Sequence, residues 1–273
     1  MLEAKFRVYP RIALAAGAAV LAAFARSLPA DAAAKTFCSD ASLLSLAAGS
    51  SDISSPCTIA PGSILLEGLY YQNASFVGGT ALAAYPLFNL RLGFAPNAEL
   101  IIDPPSQVAE SGARGLGLYP VSRPGYGAQY TFAQTVGSAW AAGINVVPPA
   151  SLYAPSESQP KYQLDLTTQS RLSRSIALTS TVAAQTSHSA GFGTILPTAA
   201  LGAEFTPAAR TMLSADVGTR LVTRRSASQS FADLSLAQLL GRKVAWTIGL
   251  GTAFNPVANA KPHYLSTGLA FRP

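Results

Sequence analysis

Few side chains in this sequence could do chemistry, and their spacing argues against most of it. His188 lies in the run SHSAGFG with Ser187 and Ser189 on either side, so a serine and histidine pair for nucleophilic hydrolysis is the first arrangement to test. Residues so close together in a loop rarely face each other productively, and no segment brings Ser, His and an acid together. His188 reads better as a solvated loop residue, while His263, the second histidine, stands just before the last extended segment. There is no phosphate-binding loop and no zinc-ligand spacing, and GARGLGLYP lacks the strand-to-helix context of a dinucleotide fingerprint. Neither a cofactor nor a metal is expected.

What remains is a set of charged residues at regular positions: Glu67, Arg91, Glu99, Asp103, Asp165, Arg171, Glu204, Asp216, Arg220, Asp233 and Arg272. Each falls on the polar side of a segment that alternates with period two, the signature of an extended strand. The stretch Lys243 to Phe254, KVAWTIGLGTAF, shows the pattern most clearly. Val244, Trp246, Ile248, Leu250 and Phe254 fall on one face, and Ala245, Thr247, Gly249, Gly251 and Ala253 on the other. A water-facing sheet would place charges and long polar groups on that second face. Tiny residues there fit a wall with lipid outside and a crowded or wet lumen inside.

From Pro61 onward twelve such segments follow one another, separated by Pro, Gly, Asn and Ser clusters. They cover residues 63–72, 87–94, 99–103, 125–132, 138–147, 162–171, 175–185, 196–205, 211–220, 231–239, 243–254 and 264–272. Residues Pro104 to Pro124 read as a long Gly- and Pro-rich loop with one short extended piece at Leu116 to Val121. Short turns (APN, AQTVG, TPAAR, LGRK) alternate with longer links at 73–86, 104–124 and 148–161. Strands of roughly ten residues and this asymmetry of connections are those of an outer-membrane barrel. The expected fold is all-β: an antiparallel up-and-down transmembrane β-barrel of about 12 strands spanning residues 61–273. On the lumen side Arg91 faces Glu99 across a short turn, and Asp216 could pair with Arg220. The mixed signs suit a charge-compensated interior better than a selectivity ring.

Composition points the same way. Of 273 residues 49% are hydrophobic and only 12% charged, about half the usual charged fraction of ~25%. The longest apolar run, Ile12 to Phe24, is too short for a membrane-spanning helix. It follows Lys5, Arg7 and Arg11 and precedes Ala30, Asp31 and Ala32, so residues 1–32 are expected to be a cleaved signal peptide. Losing its four basic and two acidic residues leaves +4 of the formal +6. That basicity is not clustered, and nucleic acid is not an expected partner. Export puts Cys38 and Cys57, the only cysteines, in an oxidising compartment where they would form a disulfide within an N-terminal periplasmic segment, residues 33–60. Closing such a loop contributes roughly 3 kcal/mol in the chain-entropy model.

The stretches FNLRLGFAPNAELII, LGAEFTPAARTMLSADVG, DLSLAQLLGRKVAWTIGLGTAFNP and the closing GLAFR resemble the bacterial outer-membrane barrel transporters of the phenol-degradation, or MetA-pathway, type. The resemblance runs from about Pro61 to the end. It implies a channel in the outer membrane that admits aromatic or other hydrophobic small molecules, with lipid, a small solute and the barrel-assembly machinery as partners. Two departures stand out. GARGLGLYPVSRPG replaces the Gly-Asp element often found before the fourth strand, and the chain ends Phe-Arg-Pro instead of on an aromatic residue. Two rivals differ in class: a secreted soluble β-sandwich binding module, and a barrel hydrolase using His188.

Overall fold

A computed structural model of the chain describes residues 36–47, 53, 55–74, 81–105, 107–112, 115–119, 124–148, 160–189, 192–220, 229–254 and 263–273. The proposed signal peptide, residues 1–32, lies outside them. The period-two segments become strands β1 (Ile64–Ala74), β2 (Ala81–Ala95), β3 (Ala98–Asp103), β4 (Gln107–Gly112), β5 (Gly115–Tyr119), β6 (Gly125–Gln134) and β7 (Ser138–Val147). They continue as β8 (Lys161–Arg171), β9 (Ile176–Ser189), β10 (Phe192–Ala208), β11 (Thr211–Arg220), β12 (Gln229–Leu239), β13 (Val244–Phe254) and β14 (His263–Phe271). All pairings are antiparallel, and β1 pairs with β14 on one side and β2 on the other, which closes the sheet. Closure is what hydrocarbon demands, because a free edge would leave a row of backbone N–H and C=O groups without partners.

Twelve strands make the closed wall, and β4 and β5 extend it. The second half of β2 pairs with β3 (Leu90↔Ile102), and its first half pairs with β4 (Ala83↔Ala109). β3 and β4 are therefore one wall strand broken at Pro104 and Pro105, residues that cannot donate to a ladder. β5 pairs with β4, so the two form a hairpin that prolongs the wall. The Gly- and Pro-rich stretch read above as a loop is corrected accordingly. Two other links are shorter than the sequence suggested. β1 and β2 stay paired up to Ala74↔Ala81, and β9 and β10 up to Ser189↔Phe192, so SHSAGFG belongs largely to a hairpin end. Small polar residues resemble loops in sequence, yet a hairpin already in register can extend its ladder through the backbone of any residue except proline.

Among the described residues the outer surface carries an apolar band without charge. Leu66, Phe88, Leu100, Tyr126, Trp140, Leu164, Leu201, Leu234, Leu250 and Leu269 are all exposed on it. Trp246 satisfies its one polar group locally, donating from Nε1 to Thr267 Oγ1 at 3.0 Å. The inner face is equally consistent: Ala245 and Thr247 are buried while Leu250 is exposed, as alternation on β13 requires.

Eight strands give a barrel that wall side chains alone can fill, whereas sixteen leave a water channel. Twelve lies between, and at the short-turn end the space is taken by residues 36–47, 53 and 55–63. A 3-10 turn (Phe37–Asp40) and a single helical turn α1 (Leu43–Leu46) are joined to the returning chain by the Cys38–Cys57 disulfide, with Cα atoms 5.3 Å apart. Phe37, Leu43, Leu44, Leu46 and Ile59 pack with the buried inward residues Leu65, Ala139, Met212, Ala237, Ala245 and Ala270. The small inner face of β13 is thus explained in part by what it accommodates. Alanines on the wall leave room for leucines on the plug.

The facing of β13 has a direct test. Ile248→Arg puts a charge on the lipid side and should destabilise the folded barrel by about 2–4 kcal/mol near the midplane, read as urea unfolding in lipid vesicles. Ile248→Leu should change little. An unaffected Ile248→Arg barrel would mean that the wall faces the other way.

Candidate functional site

The lumen side of the wall carries most of the charged residues singled out by the sequence, and one pair fastens the plug inside it. Arg91 on β2 and Glu99 on β3 meet across the Ala95–Ala98 turn, where Asn97 adopts a positive φ of 62°. Asparagine tolerates that conformation better than most residues. The Arg91 Nε and Nη2 groups both reach Glu99 Oε1 at 2.8 Å, and the two side chains are 6% and 0% exposed. Arg91 Nη1 also donates to the carbonyl of Leu46, and Nη2 to that of Cys57 at 3.0 Å. Glu99 Oε2 accepts the backbone N–H of Ile59 at 2.9 Å. Each of the three guanidinium nitrogens and both carboxylate oxygens are used, the condition under which a buried ion pair is tolerable.

Neighbouring contacts extend this fastening along the same wall. Gln129 Nε2 donates to the carbonyl of Ser55 (2.9 Å) and Thr131 Oγ1 to that of Pro56 (2.6 Å). Gly62 and Ser63 exchange backbone hydrogen bonds with Gly93. Gly93 must be glycine here, since a Cβ would run into the carbonyl of Ala60. At the rim, Phe37 N–H bonds to the carbonyl of Thr135, and the Arg171 guanidinium sits 4.9 Å from the Phe37 ring centroid.

The remaining charges follow a rule that the sequence alone did not reveal. Asp103, Asp165, Asp216 and Asp233 lie in register with Gly125, Gly143, Gly202 and Gly251 of the adjacent strand. A Cβ at any of these glycines would come within less than 3.0 Å of a carboxylate oxygen. The aspartates therefore lie flat along the wall, over their glycine partners. Asp103 is further held by Asn89 Nδ2 (2.8 Å) and Asn145 Nδ2 (3.2 Å). Phe231 likewise covers Gly218, and Tyr264 covers Gly251. Asp216 and Asp233 face each other across β11 and β12, with Glu204 on β10 two register pairs further along, opposite Ser214. Glu67 is buried between Asn89 and Ala270. Arg272 is half-buried beyond the end of β14, and Arg220 closes β11 with a side chain outside the described residues, as are those of His188 and its flanking serines. Among the described residues no group of three or more His, Cys, Asp or Glu is placed to hold a metal ion.

This fold is similar to solved outer-membrane channels. An outer-membrane channel from Pseudomonas putida F1 superposes with a TM-score of 0.58 at 13% identity, over 79% of this chain and 97% of that one. The NanC porin gives a TM-score of 0.52 at 7% identity, over 75% and 98%. No protein-family model and no curated protein sequence matches the chain. At these identities the likeness establishes the fold, an antiparallel transmembrane barrel of the outer-membrane type.

Removing one partner of the buried pair should be costly. Arg91→Ala leaves Glu99 uncompensated and is expected to destabilise the folded state by about 3–5 kcal/mol, whereas the double change Arg91→Met with Glu99→Leu should cost much less. Urea unfolding in vesicles measures both. A loss below about 1 kcal/mol for Arg91→Ala, as for an exposed pair, would show that this contact does not fasten the plug.

Proposed function

We propose that the chain is a channel of the bacterial outer membrane through which small solutes enter passively. The observation that carries this reading is a closed barrel with an apolar exterior around a polar lumen, narrowed at one end by a segment packed inside it. The plug sets an upper size limit, and the charges lining the wall are of both signs, so the lumen is compensated instead of being a ring of one sign. The sequence resemblance to the phenol-degradation type of transporter is taken as the finer assignment, with aromatic or hydrophobic small molecules as cargo. Inside the tube Ile53 of the plug packs against Ala200, Phe231 and Ala253 of the wall, so the polar lining is interrupted by an apolar contact. In this reading a signal peptide delivers the chain to the barrel-assembly machinery. The charged wall residues keep the interior hydrated.

The channel reading makes two expectations. Cell fractionation should place the protein with outer membranes, migrating differently on gels before and after heating, and recovery from the soluble periplasm would contradict it. In a liposome-swelling assay, phenol-sized solutes should permeate and oligosaccharides should not. Arg91→Ala, by loosening the plug, should raise the rate for larger solutes, and unchanged rates across all sizes would contradict a plugged lumen.

A further inference from the structure

Where β1 closes against β14, the outer wall is hollowed by a groove of about 620 Å³. Gly68 forms its floor, because an outward position without a side chain leaves a gap between Leu66 and Tyr70. Leu66, Tyr70, Phe88, Trp246, Leu269 and Phe271 form its sides. Gly68 pairs with Phe88 on one side and Leu269 on the other, and Leu269 pairs with Trp246, so the groove crosses β2, β1, β14 and β13. The indole is fixed over the seam by its bond to Thr267. From Phe271 at the short-turn end to Thr267 the groove runs for roughly 13 Å along the strand, and a length of acyl chain fills such a space. A Cβ at Gly68 would already meet the Phe88 ring at 3.3 Å, so a longer side chain there would occupy it.

A second feature stands at the same end of these strands. The turn into β13 carries Arg242 and Lys243, both exposed, and the backbone N–H of Arg272 bonds to the carbonyl of Lys243 at 2.9 Å, which sets Arg272 beside them. The next turn adds Arg210. It is tied across by Leu239 N–H to the Arg210 carbonyl (2.8 Å) and by Arg210 Nη2 to the Leu239 carbonyl (3.2 Å). Leu240, 59% exposed, lies among these cations. Residues 205–211, 239–244 and 271–273 include no Asp or Glu, so the cluster has no carboxylate of its own. Short turns mark the periplasmic rim, which puts the cluster at the headgroup level of that leaflet, beside the open end of the groove. The turns at 95–98 and 134–138, elsewhere on the rim, carry no charge.

We propose that the groove and the basic rim form one binding site for an anionic phospholipid of the periplasmic leaflet. An acyl chain lies in the groove, and the headgroup phosphate is held by Arg242 and Lys243, with Arg210 and Arg272 adding to the local positive potential. Long basic side chains at a membrane boundary extend their charged ends to the headgroups while their stems stay on apolar surface. A zwitterionic lipid fits the groove equally well and gains less from the rim, so the site selects by net charge. A second copy seated here about a twofold axis would bring two basic rims together, which like-charge repulsion disfavours. The site requires the outer-membrane placement and is independent of what the channel admits.

The two tryptophans test the proposal, because Trp246 lines the groove and Trp140 follows the uncharged turn before β7. The mature chain with Trp140→Phe, reconstituted in phosphatidylcholine vesicles, reports on the groove alone when lipids brominated on their acyl chains are added as quenchers. Brominated phosphatidylglycerol should associate at Trp246 about fivefold or more in preference to brominated phosphatidylcholine. The converse variant, Trp246→Phe, should show a smaller preference at Trp140. Arg242→Gln with Lys243→Gln should bring the preference at Trp246 close to one, and Gly68→Leu should weaken it, in barrels that still show heat-dependent gel migration. Raising salt to about 1 M, where the screening length is about 3 Å, should abolish it in the unaltered rim, so the test does not depend on a variant folding. Equal quenching of Trp246 by the two lipids would overturn the site, as would a preference that survives both salt and the double substitution, or one as large at Trp140. A preference unchanged by Gly68→Leu would also overturn it, by removing the groove. Absence of quenching by either lipid would show the groove covered by protein and overturn it as well.

Discussion

The contact on which the rest depends is the buried pair between Arg91 and Glu99. A guanidinium and a carboxylate taken out of water lose several kcal/mol of hydration each, and their attraction offsets this only when the remaining donors and acceptors are also satisfied. Here the plug supplies what the pair lacks: the carbonyls of Leu46 and Cys57 for the arginine and the N–H of Ile59 for the glutamate. The dependence runs both ways. Without the plug the pair would be under-satisfied, and without the pair the plug would lose its central tie to the wall.

From that constraint follows the division of the inner face into two registers. Near the short turns, Ala139, Ala237, Ala245 and Ala270 are small because leucines of α1 and its flanks occupy the volume a longer side chain would need. Further along, Gly125, Gly143, Gly202 and Gly251 are small because an aspartate from the neighbouring strand lies over each of them. Two causes therefore produce one sequence feature, a strand face made of tiny residues. The outer face has a single cause, lipid, and is correspondingly uniform.

That difference decides how much of the fold was legible in the sequence. Alternation along β13 and its neighbours fixes which side chains face out, because side-chain direction in a strand has no freedom beyond period two. The short turns, the closed antiparallel order and the twelve-strand wall follow from it. The meeting of Arg91 with Glu99 was also readable, since a tight turn leaves little choice of register. The plug was not. Its fastening runs through backbone groups of Leu46, Ser55, Pro56, Cys57 and Ile59, which side-chain identity does not advertise, and a segment packed in a lumen needs no periodicity. The pairing of aspartates with glycines needed the register between strands, and Asp216 against Asp233 emerges only once β11 and β12 are aligned. The β4–β5 hairpin was hidden by the same Gly and Pro residues that make its turn and its break.

Occupation of the lumen by residues 36–47 and 55–63 is tested most directly by amide hydrogen exchange on the folded barrel in lipid nanodiscs. The amides of Phe37, Ile59 and Gly62 donate to Thr135, Glu99 and Gly93 of the wall, so they should be protected to the degree of the barrel strands. Exchange at the rate of an unstructured chain at all three would contradict a plugged barrel.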